Sequence, residues 1–193
     1  MATVADVAAS APFFAVFVCA NCARPGKELT SARRSRPVLP EFNWPYPVQQ
    51  IIIPCAGRIQ PEHVLKAFES GAGVVAVIAC QEDNCHYVEG SPRCSRRVDY
   101  LRSILKEIGL GDQRLLLLHL PGSAAEDLAI AAGNPVQANG SGPMTQQVAA
   151  IREEVVRAFQ TLPPNPLLQR EPIGMTLNSI QEEIDTTDDI GDE

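Results

Sequence analysis

Phe13-Phe14-Ala15-Val16-Phe17-Val18-Cys19-Ala20-Asn21-Cys22 is the stretch from which the fold can be read. Phe13 to Val18 is continuously apolar and β-prone, the composition of a central strand buried on both faces. A pair of cysteines closes it. The same construction recurs twice. Val48-Gln49-Gln50-Ile51-Ile52-Ile53 runs into Pro54-Cys55-Ala56-Gly57-Arg58, and Val74-Val75-Ala76-Val77-Ile78-Ala79 runs into Cys80. A fourth apolar run, Leu115 to Leu120, has no cysteine at its end.

Helical spacing separates these runs. Pro61 sits where a first helical turn tolerates its missing N–H, with Val64, Leu65, Ala67 and Phe68 on one face and Gly71 as the stop. The loop after Cys80 extends to Ser95, which reads as the N-cap of a helix to Ile108. Val98, Leu101, Ile104, Leu105 and Ile108 form its apolar face, and Gly109 ends it. Ser123 and Glu126 have capping-box spacing and open a short helix through Ala132. Thr145 to Leu162 carries Val148, Ile151, Val155, Phe159 and Leu162 on one side. Strands alternating with helices predict an α/β fold: a small open, mostly parallel sheet of about four strands with helices on both faces.

In such sheets ligands bind outside the C-terminal strand ends. Parallel neighbours therefore bring Cys19, Cys55 and Cys80 to one edge, with Cys22 and Cys85 close behind in the same loops. Converging thiols in a chain of this type point to metal or redox chemistry. An iron–sulfur cluster takes four thiolates, which several loops can supply. The C-x2-C at Cys19/Cys22 and the C-x4-C at Cys80/Cys85 are both spacings found among two-iron ferredoxin ligands. A structural zinc site uses the same ligands, but its usual paired C-x2-C units are missing. A dithiol redox motif at Cys19/Cys22 leaves Cys55, Cys80 and Cys85 unexplained. Inert core thiols fit poorly with cysteines placed in loops. Cys94, beside Arg93, Arg96 and Arg97, has no spacing partner and reads as a spare thiol, although a nearby helix start would lower its pKa. His86 reads as a donor to sulfur, a partner contact, or equally a surface or capping histidine, while His63 and His119 read as structural.

The chain has 193 residues, a net charge of −7 and a pI near 5.0. That balance argues against nucleic acid or an anionic membrane as a partner. No segment reaches the roughly 20 apolar residues of a membrane span. Met1 to Ala15 lacks a basic start and a small-residue cleavage site, so the expectation is a cytoplasmic protein. Arg24 to Arg36 is basic, and Pro37 to Pro47 holds four prolines around Trp44 and Tyr46. Glu171 to Glu193 contains eight acids and no Lys or Arg. The expected organisation is a cluster-binding domain over 1–162 and a proline-broken acidic tail over 163–193, disordered or partner-docking.

Three elements in order resemble a known family. They are Cys19-Ala20-Asn21-Cys22, then Pro54-Cys55-Ala56-Gly57-Arg58-Ile59-Gln60-Pro61-Glu62, then Cys80-Gln81-Glu82-Asp83-Asn84-Cys85-His86-Tyr87-Val88-Glu89-Gly90 with Arg96-Arg97-Val98. From Phe13 to Phe159 the chain is similar to the delta subunit of methyl-viologen-reducing hydrogenase. The resemblance implies a two-iron two-sulfur (2Fe-2S) cluster and no catalysis by the chain alone. It implies electron relay between an upstream oxidoreductase, such as a hydrogenase or formate dehydrogenase, and the flavin of a heterodisulfide reductase A-like flavoprotein. It implies ligands drawn from Cys19, Cys22, Cys55, Cys80 and Cys85, five candidates for four places. Ala23-Arg24-Pro25-Gly26-Lys27, Cys94 and the acidic tail depart from the family pattern.

Overall fold

A computed structural model describes residues 12–21, 42–120 and 143–169. Strands β1 (Phe13–Cys19), β2 (Val48–Ile53), β3 (Ala72–Cys80) and β4 (Leu115–Leu120) form one open sheet in the order β2-β1-β3-β4. Every pairing is parallel. Helix α1 (Pro61–Glu69) connects β2 to β3, α2 (Gly90–Glu107) connects β3 to β4, and α3 (Pro143–Thr161) follows. The α/β sheet read from the apolar runs is thus present, and all four strands lie where those runs lie.

The central strands are buried almost throughout. Residues 14–19 of β1 and all of β3 except Gly73 are inaccessible or nearly so. Burial of Phe14 or Phe17 contributes roughly 1.5–3 kcal/mol each. At the N-terminal end of β1, Phe14 meets Trp44 and Phe159 edge-on, with ring centroids 5.2 and 5.3 Å apart. Trp44 stacks on Phe42, and Tyr46 tilts against Phe159. Trp44 and Tyr46 therefore cap this end of the sheet.

Helix α2 begins six residues before the position that the sequence indicates, with Glu89 rather than Ser95 as N-cap. Gly90 and Pro92 read as breakers, yet Pro92 occupies the first turn, where no intrahelical partner is lost. Ser95 is consequently inside the helix. Its hydroxyl donates to Ser91 O and to Glu82 Oε1 (2.6 Å), tying the single turn Glu82–Asn84 to the helix. The Ser123–Ala132 helix, the Arg24–Arg36 stretch and the chain beyond 169 lie outside the described residues.

Arg114 joins the lower ends of three elements. It is 3% exposed, and its guanidinium donates to the carbonyls of Leu110 (2.8 Å), Gly73 (2.9 Å), Pro163 (2.8 Å) and Pro164 (3.2 Å). Burial lowers its pKa, and carbonyl dipoles stand where a carboxylate would normally be. Asn165, also buried, donates to Phe68 O and Ala72 O at 2.8 and 2.9 Å and accepts from Leu167 N–H. Residues 163–169 are thereby fastened to the sheet. Arg114→Met should lower the unfolding free energy by about 2–4 kcal/mol, because buried carbonyls lose a charged donor. Denaturant titration at unchanged m-value checks this, and a midpoint equal to wild type would show that the clamp contributes nothing.

Candidate thiol site at the switch point

The order β2-β1-β3-β4 has one position where successive connections leave in opposite directions. The chain passes from β1 to β2 on one side and from β3 to β4 on the other. The crevice at such a switch point lies between the C-terminal ends of β1 and β3. Those ends are Cys19 and Cys80, whose Sγ atoms are 3.8 Å apart. Cys55 follows β2 by two residues and caps the single turn Ala56–Arg58, accepting from Gly57 N–H at 3.4 Å. Cys85 accepts from Ser91 N–H at 3.3 Å, in the first turn of α2.

Asn21 bridges the β1 and β2 loops by donating to Pro54 O at 2.8 Å. Arg97 reaches back from α2 and donates to Gly57 O (2.6 Å) and Ile59 O (2.9 Å). Ser91 Oγ donates to Cys80 O, and His119 Nδ1 lies 2.9 Å from the same carbonyl. These bonds fix the backbone behind three of the thiols. His63 accepts from Gln60 N–H and caps α1, the structural role that its sequence context suggests. His86 is exposed, its ring edge-on to Tyr87 at 4.9 Å.

Two glycines allow the approach. A Cβ on Gly90 would overlap Cys55 Sγ and lie 3.2 Å from Cys85 Sγ. A Cβ on Gly57 would lie 2.8 Å from Gly90 Cα. Gly90 is therefore a spacer between two sulfurs, and only hydrogen fits. Neither glycine stands out in the sequence, where both read as turn residues. Gly57 N–H and Ser91 N–H are amide donors to these sulfurs.

The five described cysteines, Cys19, Cys55, Cys80, Cys85 and Cys94, are all buried thiols. Cys22 lies outside the described residues. Cys94 is wholly inaccessible. Burial, and then the neighbouring Cys19, push its thiol up to about 12 against the pull of Arg97. The helix-start acidification considered from sequence does not occur, because Cys94 is on the inner face of α2. A hydrogen bond with Cys19, followed by burial, raises the pKa of Cys55 far above the ordinary thiol range. Among the described residues, no three His, Cys, Asp or Glu side chains stand together as a metal-holding group.

The donor chemistry nevertheless suits a soft metal centre. The site is all sulfur, is shielded from water, and has two N–H groups aimed at sulfur. Ser91 N–H belongs to a helix N-terminus, which favours thiolate charge. Thiolates about 2.3 Å from one tetrahedral metal lie about 3.8 Å from each other, the separation of Cys19 and Cys80.

A raised folded-state pKa means that the folded chain holds its proton longer than the unfolded one. Stability from Cys94 is therefore complete below the ordinary thiol value of 9.0 and is lost as pH rises toward about 12. Cys94→Ala should flatten this loss in the metal-free protein. Denaturant midpoints across that range test it, and identical pH slopes for the two proteins would exclude the linkage.

Comparison with known proteins adds a family to this geometry. The chain is 38% identical over 115 residues to the A component of ferredoxin:CoB-CoM heterodisulfide reductase from Methanosarcina mazei, covering 60% of this chain and 13% of that protein. It is 35% identical over 82 residues to the D-type iron-sulfur subunit of the F420-non-reducing hydrogenase from Archaeoglobus profundus, covering 42% of this chain and 60% of the relative. The corresponding iron-sulfur subunit of the vhc F420-non-reducing hydrogenase from Methanococcus voltae is 31% identical over 115 residues, 60% of this chain and 75% of the relative. The chain thus spans only a small part of the reductase component it matches and about three-fifths to three-quarters of these two hydrogenase subunits. The family model for the delta subunit of methyl-viologen-reducing hydrogenase matches residues 14–137, from the first residues of β1 past the end of β4. On this match over most of the chain, containing all the cysteines at the switch point, the protein belongs to the methyl-viologen-reducing hydrogenase delta subunit family.

Proposed function

We propose that this chain is a non-catalytic electron-relay subunit that holds a 2Fe-2S cluster on four thiolates drawn from Cys19, Cys22, Cys55, Cys80 and Cys85. The observation carrying this reading is the thiol pair Cys19–Cys80 at the switch point, 3.8 Å apart, with Cys55 hydrogen-bonded to Cys19 and Cys85 across Gly90. The hydrogenase relatives, named as iron-sulfur subunits, agree with it.

Such a cluster, when bound, supplies one-electron oxidation and reduction. The chain's own residues do the rest. Gly57 N–H and Ser91 N–H donate to sulfur and favour the more negative state, a lever on reduction potential. The apolar ends of β1 and β3 keep water away. The α2 N-terminus offsets thiolate charge. A cysteine thiol gives up its proton as it binds metal, so loading would strengthen with rising pH.

Relatives from a hydrogenase and from a heterodisulfide reductase support partners of those two kinds. Electrons would pass between an oxidoreductase module, such as a hydrogenase or formate dehydrogenase, and the flavin-containing component of a heterodisulfide-reductase-like assembly. No described helix is long and apolar enough to cross a membrane, and the working location is the cytoplasm. In this reading residues 1–162 are the cluster-binding unit, and the acidic chain beyond it serves docking. A zinc-stabilised scaffold uses the same sulfur geometry and is the competing reading.

Metal analysis and low-temperature EPR of the anaerobically purified, dithionite-reduced complex decide between them. Two irons per chain and a signal altered by Cys55→Ser are expected. Zinc without iron would select the scaffold, and a two-iron spectrum indifferent to Cys55 would leave Cys19, Cys22, Cys80 and Cys85 as the ligands. Gly90→Ala should cut bound iron at least about fivefold, because its methyl group displaces Cys55 from its neighbours. Full iron in that variant would show that Cys55 is not a ligand.

A further inference from the structure

We propose that the redox partner docks over the cleft at Cys55, placing a carboxylate-bearing, partly apolar loop between Arg58, Arg93 and the Tyr87–Val88 tip. The proposal rests on the relay reading and names the face through which electrons pass. The cleft has a volume of about 640 Å³ and is lined by Pro54, Cys55, Gly57, Arg58, Tyr87, Glu89, Gly90 and Arg93. Its floor is therefore a thiol of the site itself. Among the described cysteines, Cys55 is the one on its lining.

Three independent features converge on this rim. The first is exposure of apolar surface. Tyr87 is 54% and Val88 72% exposed, two of the large hydrophobic side chains that the described residues leave in solvent. The second is backbone strain. Val88 has φ 58, a conformation that costs a β-branched residue energy and concentrates at functional loops. The turn is held by Val88 N–H donating to Cys85 O at 2.9 Å, so the strain presents Val88 outward directly from a thiol-bearing residue. The third is charge. In a chain of net charge −7, the cleft wall carries Arg58 and Arg93, while its Glu89 lies 3.8 Å from Arg96. A local positive field on an acidic protein selects an acidic partner and steers its approach. Tyr and Arg are also the side chains that most often anchor interfaces.

The complete complex tests this. A photo-crosslinking benzoylphenylalanine replaces Tyr87 in one sample and Ile108, exposed at the far end of α2, in another. The expected adduct joins position 87 to an acidic loop of a redox partner, with none from position 108. Arg93→Glu should slow electron transfer to that partner by roughly tenfold or more and weaken its salt dependence, with iron content and reduction by dithionite unchanged. A wild-type transfer rate in Arg93→Glu overturns the proposal. So does an adduct from position 87 to a second copy, or to this chain's own residues 170–193. Iron is measured on the wild-type complex first: its absence overturns the relay reading, while the position-87 adduct still decides the docking face separately.

Discussion

A strand buried on both faces leaves no place for chemistry except its ends. β3 holds nine residues with almost no exposure, and β1 is nearly as dry. Any polar or charged side chain along them would need a partner that the core does not offer. Function is therefore pushed to the strand termini, and the opposite exits of β1 and β3 open a gap at one terminus only. The thiols meet there because the strand ends and loops at that edge carry them. Each loop that carries one is then secured separately: Asn21 to Pro54, Arg97 to Gly57 and Ile59, Ser91 to Cys80.

The electrostatics of the gap follow from the same dryness. A hydrogen bond with Cys19 and then burial raise the pKa of the Cys55 thiol, and burial raises that of Cys94; a deprotonation at either would place a negative charge beside other sulfurs. Two amides, a helix start and Arg97 pull in the opposite direction. Such donors would favour thiolate when a cation is bound. Cys94 shares that environment without lining the cleft. Its place on the inner face of α2 makes it part of the packing beneath the other sulfurs.

The strands are legible because continuous Val, Ile and Phe runs have few other uses, and Cys19, Cys55 and Cys80 at their ends make the site legible with them. Strand order is not encoded in any local pattern, so the contact of Cys19 with Cys80 rather than with Cys55 alone emerges only from the structure. Gly90 reads as a loop residue for a physical reason. A glycine followed by Ser91 and Pro92 has the composition of a loop, and only the close packing of Cys55 and Cys85 shows why a helix begins there. Arg114 is equally silent in the sequence, since its partners are carbonyls 4 to 50 residues away. Cys22 and the acidic chain beyond 169 lie outside the described residues.

Phe13 pairs with Ala72 at the start of β1, and Asn165 donates to the carbonyl of the same Ala72. The first and last parts of the folded core thus touch a single residue, at the end of the sheet away from the thiols. A polypeptide can enter and leave such a unit through one doorway without crossing the working face. That makes the core a module that can be spliced into a longer chain. A matching stretch of 115 residues occupies 13% of a large reductase component in one relative and 75% of a small separate subunit in another.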